Sequence, residues 1–285
     1  MARQSARRRH IAIGAASVLA FAAVISGSLA VAGEDAGSAS RGRGPAQDKG
    51  DRAPGANTPA TPGAPAAPGA PGVSGAPGAS APSGPVSSSI AHETEGGGKT
   101  VALTIDDGPD PVWTPKVLAV LKKYGAKATF CMIGPQAKAR PDLVRKVVAD
   151  GHRLCDHSVD HNTEMDKRSE DYQSRQILDA QKMISEAAGG APVCYYRAPG
   201  GAFTPYSRGV AAAHGMRPLG WNVDTNDWKR PGTQAIVETV KKEVPNGPIV
   251  LFHDGGGDRS QTVAALEEIV PWLKAEGYVF AFPKV

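Results

Sequence analysis

A chain of 285 residues has room for one large domain or two small ones, but fifteen of its 34 glycines and ten of its 24 prolines fall within residues 33–99, which therefore cannot be a packed core. The net charge of +4 is just as local: residues 1–32 carry four arginines and no acid, whereas residues 100–285 hold 23 basic and 22 acidic groups. This composition excludes a disulfide miniprotein, a multi-span membrane protein and a coiled coil, and the near-neutral folded part excludes a nucleic-acid surface.

Arg3, Arg7, Arg8 and Arg9 precede an uncharged stretch, 11–32, that ends in the small-residue triplet Ala30-Val31-Ala32. Basic, apolar and small-residue parts in that order make a secretory signal peptide cut after Ala32. The stretch is also long enough to span a bilayer, so an uncleaved anchor is the competing reading and the only expected contact with a membrane. Residues 33–99 form a Gly/Ala/Pro/Ser tract too poor in large apolar groups to offset ordering entropy, and are expected to be a disordered linker. Its three-residue glycine grid is broken at Ala66 and Ala81, where a collagen triple helix tolerates only Gly. Fully extended, the tract would reach about 200 Å. The expected location is secreted, or bound to the cell wall or surface.

From Thr100 apolar runs alternate with amphipathic ones. Strand-like runs occupy 100–105, 127–134, 153–157, 192–199, 216–224, 248–254 and 278–284, and helical patterns lie near 114–123, 141–149, 169–188, 205–214, 233–243 and 260–276. Strict alternation of this kind predicts an α/β fold with a parallel sheet, and seven strands suggest a short barrel or an open doubly wound sheet.

The unusual polar residues follow the strands. Asp106-Asp107-Gly108-Pro109 follows the first run, His157-Ser158-Val159-Asp160-His161 the third, Arg197-Ala198-Pro199-Gly200-Gly201 the fourth, Asp224-Thr225-Asn226-Asp227-Trp228 the fifth and Leu251-Phe252-His253-Asp254 the sixth. Five successive hits on the edge where parallel α/β proteins keep their active sites argue against unrelated solvated turns. His157 and His161 are four apart, so one turn points both imidazoles the same way; such a pair alone is more often structural than ligating, but a carboxylate from Asp107 completes a metal site with open positions. That donor set suits Zn²⁺ without selecting it from other divalent ions, Co²⁺ or Ni²⁺ among them. Adjacent carboxylates on one turn diverge, leaving Asp106 to take a proton from an attacking water, with Arg197 holding it ionised. His253 suits the acid that protonates a leaving group, and Asp227 its partner.

In this order the motifs TIDDGP, HSVDH, RAPGG, DTNDW and LFH resemble those of polysaccharide deacetylases, carbohydrate esterase family 4 or the NodB-homology domain, over nearly all of residues 100–285. The resemblance implies a distorted (β/α)7 barrel and metal-dependent hydrolysis of acetyl groups on sugars. It implies Asp106 as base, Asp107, His157 and His161 as metal ligands, Arg197 as partner of the base, and His253 as acid supported by Asp227. Trp228 and Leu251 would line an acetyl pocket, and Pro199 and Gly200 would contact substrate, the Gly200 N–H serving the oxyanion. Many members carry an aromatic residue where Gly200 stands, so one wall of the sugar groove is missing here.

Cys131 and Cys155 lie near the ends of successive strands, which makes a bridge between them the first expectation; Cys155 with Cys194, or three free buried thiols, are the alternatives. The expected activity is N-deacetylation of an acetylated polysaccharide of the peptidoglycan or chitin type, by a monomer. An O-acetyl esterase acting on xylan and an inactive wall-binding module are the rival expectations.

Overall fold

The computed structural model describes residues 86–285, so the signal or anchor segment and the linker up to residue 85 lie outside the described residues. Eight strands and seven helices follow: β1 (Thr100–Asp106), α1 (Trp113–Tyr124), β2 (Ala128–Met132), α2 (Gly134–Ala139), α3 (Pro141–Ala149), β3 (Arg153–Asp156), α4 (Glu170–Ala187), β4 (Val193–Tyr196), α5 (Pro205–Ala213), β5 (Arg217–Pro218), β6 (Val223–Asp224), α6 (Thr233–Glu243), β7 (Ile249–His253), α7 (Ser260–Ala275) and β8 (Val279–Phe280). Every strand pair is parallel, in the order β5-β4-β3-β2-β1-β7-β6, with β8 beside the start of β1. The sheet is the curled parallel sheet of a distorted α/β barrel. Among the described helices none is long and apolar enough to cross a membrane.

The helices form where local chemistry ends them cleanly. Gly125 caps α1 in the left-handed region, φ 66°, after Lys122 and Lys123 in the last turn. Ser169 caps α4 by accepting from the Tyr172 N–H at 3.3 Å, and Thr204 and Ser207 make a reciprocal capping box on α5. Helix α2 was not expected, because its Gly134-Pro135 start reads as a turn.

Alternation along the strands sorts the core into two layers. Val101, Leu103 and Ile105 of β1 and Phe130 and Met132 of β2 pack outward against the helices. Ala102, Cys131, Cys155 and Tyr195 face the inner side of the curl with Leu219 and Ile249. Ala102, Cys131 and Cys155 are small, and the space they leave allows a long polar side chain to cross the interior.

One expected strand, 216–224, is broken. Leu219 N–H donates to the Tyr196 carbonyl and Asn222 N–H to the Ile249 carbonyl, so the backbone leaves β4 for β7 within four residues and yields β5 and β6 at opposite ends of the sheet. The chain ahead of Thr100 occupies this break. Ala91 donates to the Pro218 carbonyl, accepts from the Gly220 N–H, and is buried in the inner layer. Glu95 pairs with Arg153 at 2.7 Å and its N–H bonds the Phe282 carbonyl. Packed structure thus begins ahead of the expected linker boundary at residue 99, in the segment that fills the gap between β5 and β6.

Burying an unpaired carboxylate there should cost roughly 3 kcal/mol, equivalent to about 6–12 °C in a domain of this size. Calorimetry should therefore show Tm falling by that amount for Ala91→Asp and staying unchanged for Ser87→Asp, four residues earlier and exposed.

Candidate active site

Asp106 ends β1, and the next residue turns sharply: Asp107 has φ 76°, a left-handed conformation that Asp tolerates better than most residues. This turn separates the two carboxylates. Asp106 is buried and its Oδ1 accepts from Arg197 Nη1 at 2.7 Å, while Oδ2 stands 3.6 Å from His157 Nε2. Asp107 Oδ1 lies 3.5 Å from His157 Nε2 and 3.1 Å from His161 Nε2. The Gly255 backbone packs so tightly against Asp107 that a Cβ at Gly255 would overlap the Asp107 carbonyl.

Arg197, just past the end of β4, is fully buried and uses its whole guanidinium. Beyond Asp106, Nη1 donates to Thr104 Oγ1 at 3.0 Å, Nη2 to the Gly220 carbonyl at 2.9 Å and Nε to the Leu219 carbonyl at 3.2 Å. It is the long side chain that crosses the small-residue interior from β4 to β1. Its own carbonyl accepts from His157 Nδ1–H at 2.8 Å, which leaves His157 Nε2 as a lone-pair donor facing Asp107.

Asp107, His157 and His161 each offer one ligand atom, all within 4.8 Å of one another. A tetrahedral ion with bonds of about 2.1 Å would separate its ligand atoms by about 3.4 Å, close to the observed 3.1 and 3.5 Å. Asp107 Oδ1 is buried and receives no aligned hydrogen bond from a protein donor, so its desolvation is uncompensated unless a cation sits against it. Burial pushes the Asp107 carboxyl up, but the His161, His157 and His253 imidazoles outweigh burial and hold it below the usual carboxylate range. Burial pushes His157 down, toward the neutral form a ligand needs, despite the nearby carboxylates; Asp107 pulls His161 up. The three residues fit a divalent ion on charge, spacing and burial.

The opposite wall is built by β7 and the turn after β6. Asp227 Oδ1 accepts from His253 Nδ1–H at 2.7 Å, and Oδ2 accepts from the His253 N–H at 2.9 Å and from the Thr262 hydroxyl at 2.7 Å. Burial alone would lower the His253 pKa, but the Asp227 bond and charge reverse this and raise it to about 9. Asp254 is buried beside the site, with Oδ2 taking the Thr114 hydroxyl at 2.6 Å; burial and the charge of Asp107 push its pKa up to about 7.

Asp106, Asp107, His157, His161, Arg197 and His253 line one cavity of about 630 Å³, together with Gly200, Trp221, Trp228, Leu251 and Arg259, while Asp227 and Asp254 sit behind its wall. Trp228 is 49% exposed at the rim, and Gly200 turns there with φ 60°. Pro199 is the expected contact residue that the structure keeps away: it is buried in the turn and does not line the cavity. Cys131 and Cys155, facing one another across β2 and β3, are joined as a disulfide, and Cys194 is free and buried. Trp221, Arg259 and Thr262 escaped the sequence reading. Trp221 sits where a continuous strand was expected, and the other two lie in a Gly-rich turn and a helix whose first turn carries no motif.

The profile of the polysaccharide deacetylase family matches residues 93–219. A peptidoglycan-N-acetylglucosamine deacetylase of Bacillus cereus is 39% identical over 193 residues, 67% of this chain and 89% of that protein. A chitooligosaccharide deacetylase of Sinorhizobium fredii is 40% identical, covering 64% of this chain and 89% of its own. Among solved structures, a peptidoglycan N-acetylglucosamine deacetylase is similar with TM-score 0.63 and 32% identity, over 68% of this chain and 89% of that one. A Bacillus anthracis pseudoenzyme of carbohydrate esterase family 4 is similar with TM-score 0.59 and 31% identity, over 64% and 63%. The chain belongs to the polysaccharide deacetylase family. Because this fold also carries a pseudoenzyme, activity has to follow from side chains.

Removing one of three ligands should weaken Zn²⁺ binding by more than about 100-fold, since even outer groups cost 10–100-fold. Competition with a chromogenic chelator should show this for Asp107→Asn and His157→Ala. His152→Ala should leave the affinity unchanged, because His152 accepts from the Ala128 N–H at the start of β2.

Proposed function

We propose that this chain is an exported, metal-dependent hydrolase that removes N-acetyl groups from N-acetylglucosamine-containing polysaccharide of the peptidoglycan or chitin type and releases acetate. One observation carries it: the adjacent carboxylates Asp106 and Asp107 are committed to different partners, while His253, held from behind by Asp227, faces them in the same cavity. The similarity to the two named deacetylases supports the substrate class.

A divalent ion on Asp107, His157 and His161, with Zn²⁺ as the choice and Co²⁺ or Ni²⁺ as substitutes, supplies polarisation of the acetyl carbonyl and a water of lowered pKa. Asp106 accepts the proton of the attacking water through Oδ2, because Oδ1 is already bound to Arg197. The Gly200 N–H supplies a hydrogen bond to the oxyanion, and Leu251 with Trp228 surrounds the acetyl methyl. His253, held through Nδ1 by Asp227, donates its proton to the sugar nitrogen as the C–N bond breaks. The products are acetate and a free amino sugar.

Export rests on the signal-like residues 1–32, and a secreted or wall-associated location follows from it; the protein is taken to act as a monomer. An O-acetyl esterase would use the same residues on xylan. The intact base, acid and ligand set speaks against an inactive binding module.

Acetate release from N-acetylchitooligomers and peptidoglycan, but not from acetylated xylan, is the expected pattern, abolished by a chelator and restored by Zn²⁺. Asp106→Asn should lower kcat by about 100- to 10,000-fold while Zn²⁺ stays bound; release confined to xylan would sink the N-deacetylase assignment.

The acid must be protonated to act, so activity should fall as pH rises through the His253 pKa, about 9 in the metal-free protein. Asp227→Asn removes the group that raises this pKa. The alkaline limb of kcat/KM should therefore move to lower pH, and a bound dication displaces both proteins downward without changing the sign of the difference.

A further inference from the structure

Arg259 is 4% exposed, lies immediately before α7 and lines the catalytic cavity. Two of its nitrogens are spent on backbone: Nε donates to the Gly255 carbonyl at 2.6 Å and Nη1 reaches the Trp228 carbonyl at 3.4 Å. Nη2 points elsewhere. A Cβ placed on Gly256 would lie 3.1 Å from Arg259 Nη2 and 3.2 Å from Asp107 Oδ2, so the third nitrogen sits near the metal-ligand cluster, on the Gly256 side.

Among the described residues no carboxylate forms an ion pair with this guanidinium. The nearby carboxylates face other groups: Asp106 pairs with Arg197, Asp227 with His253, and Asp107 Oδ1 points to the ligand cluster with His157 and His161. Asp224 accepts from the Asn226 N–H; the exposed Asp258 accepts from the Ser260 N–H, which with the weaker pull of the Arg230 and Arg259 charges lowers its pKa, but it closes no ion pair with Arg259. A guanidinium is never neutral in a protein, so a buried one without a counter-ion is costly unless something entering the cavity neutralises it.

We propose that Arg259 forms an anion subsite in the wall of the catalytic cavity and favours N-acetylglucosamine polymers that carry carboxylates, the peptidoglycan type, over neutral chitin-type oligomers. This deepens the deacetylase reading and rests on it. The carboxylate closest to the sugar in such a polymer is the lactyl group of the neighbouring muramyl unit, free wherever the stem peptide has been removed. Nη2 carries two N–H groups and the guanidinium a full positive charge, so a carboxylate oxygen would accept a charge-assisted bond there that a neutral amide matches only weakly. Trp228 and Arg259 line the same cavity, so a sugar stacked on the exposed indole would bring its neighbour's substituents toward the Arg259 wall.

The test uses the full chain loaded with Zn²⁺ and a tetrasaccharide of alternating N-acetylglucosamine and N-acetylmuramic acid with free lactyl carboxyls. The same oligomer with those carboxyls converted to methylamides differs only in charge. Binding is measured by calorimetry in the Asp106→Asn background, which stops turnover, and acetate release separately in the wild type. The carboxylate form should bind about tenfold more tightly than the methylamide. Arg259→Gln should erase that ratio, and Arg259→Lys should keep part of it, with Tm reporting that each variant is folded. Equal affinity for the two oligomers, or a ratio that survives in Arg259→Gln, overturns the anion subsite. So does an equal loss for both oligomers in the two variants, which would make Arg259 a tie between loops only. Failure of the wild type to release acetate from either oligomer would instead overturn the deacetylase reading, whatever the binding ratio.

Discussion

The Arg197–Asp106 ion pair is the contact on which the rest of the site depends. A guanidinium buried in the curl of the sheet is tolerable only if each of its nitrogens finds a partner, and here one carboxylate, one hydroxyl and two carbonyls supply them. Those partners come from β1 and from the chain just past β5, so the pair ties together strands that lie apart in the sheet order. Removing either member would leave the other charged and dry, a loss of about 3–5 kcal/mol. The small inner-face residues Ala102 and Cys131 are then more than filler, because larger ones would compete for the volume that Arg197 occupies.

The same pair divides labour between two neighbours in sequence. With Oδ1 of Asp106 fixed, only Oδ2 faces the cluster formed by Asp107, His157 and His161. Asp107, turned away by its left-handed backbone, meets both imidazoles with a single oxygen. Positive φ recurs at Ser158 and His161 in the next loop, so the ligand-bearing turns hold conformations that ordinary residues avoid. Such conformations persist because neighbours pin them: Asp107 N–H bonds the Cys131 carbonyl, and Ser158 N–H bonds Asp156 Oδ1.

Much of this was legible in the sequence, and the reason is periodic. Helices α3, α4, α6 and α7 match the expected ranges to within one residue because a 3.6-residue apolar period and terminal glycines or capping residues mark them independently. The five polar clusters stood out because each follows an apolar strand. What escaped was set by tertiary context. The exchange of partners that splits 216–224 leaves no local mark, since Leu219 and Gly220 look like strand and turn wherever they lie. Residues 90–95 read as the end of a polar linker because only Ile90 and Ala91 are apolar, yet an alanine suffices to plug an inner face built of small residues. Thr262 and Arg259 belong to no motif, and their importance appears only once Asp227 and Trp228 are seen beside them.

A charge balance of the cavity explains why an acid and a base can coexist within it. Like charges in one small volume would drive each other neutral, yet here Asp106 has Arg197 beside it and Asp227 has His253, while Asp107 is left with His157 and His161 to meet a divalent ion. This leaves Asp106 Oδ2 facing the ligand cluster, and the Asp227 bond and charge help His253 retain its proton, with Asp106 and His253 in the same cavity. Asp254 shows the contrary case. Among the described residues it has no cationic partner, only the Thr114 hydroxyl, and burial beside Asp106 and Asp107 raises its pKa to about 7. The difference between these buried carboxylates lies in whether a cation was folded in with them: the long Arg197 side chain reaches from the end of β4 across the interior to Asp106, and Asp254 is left beside the start of α1.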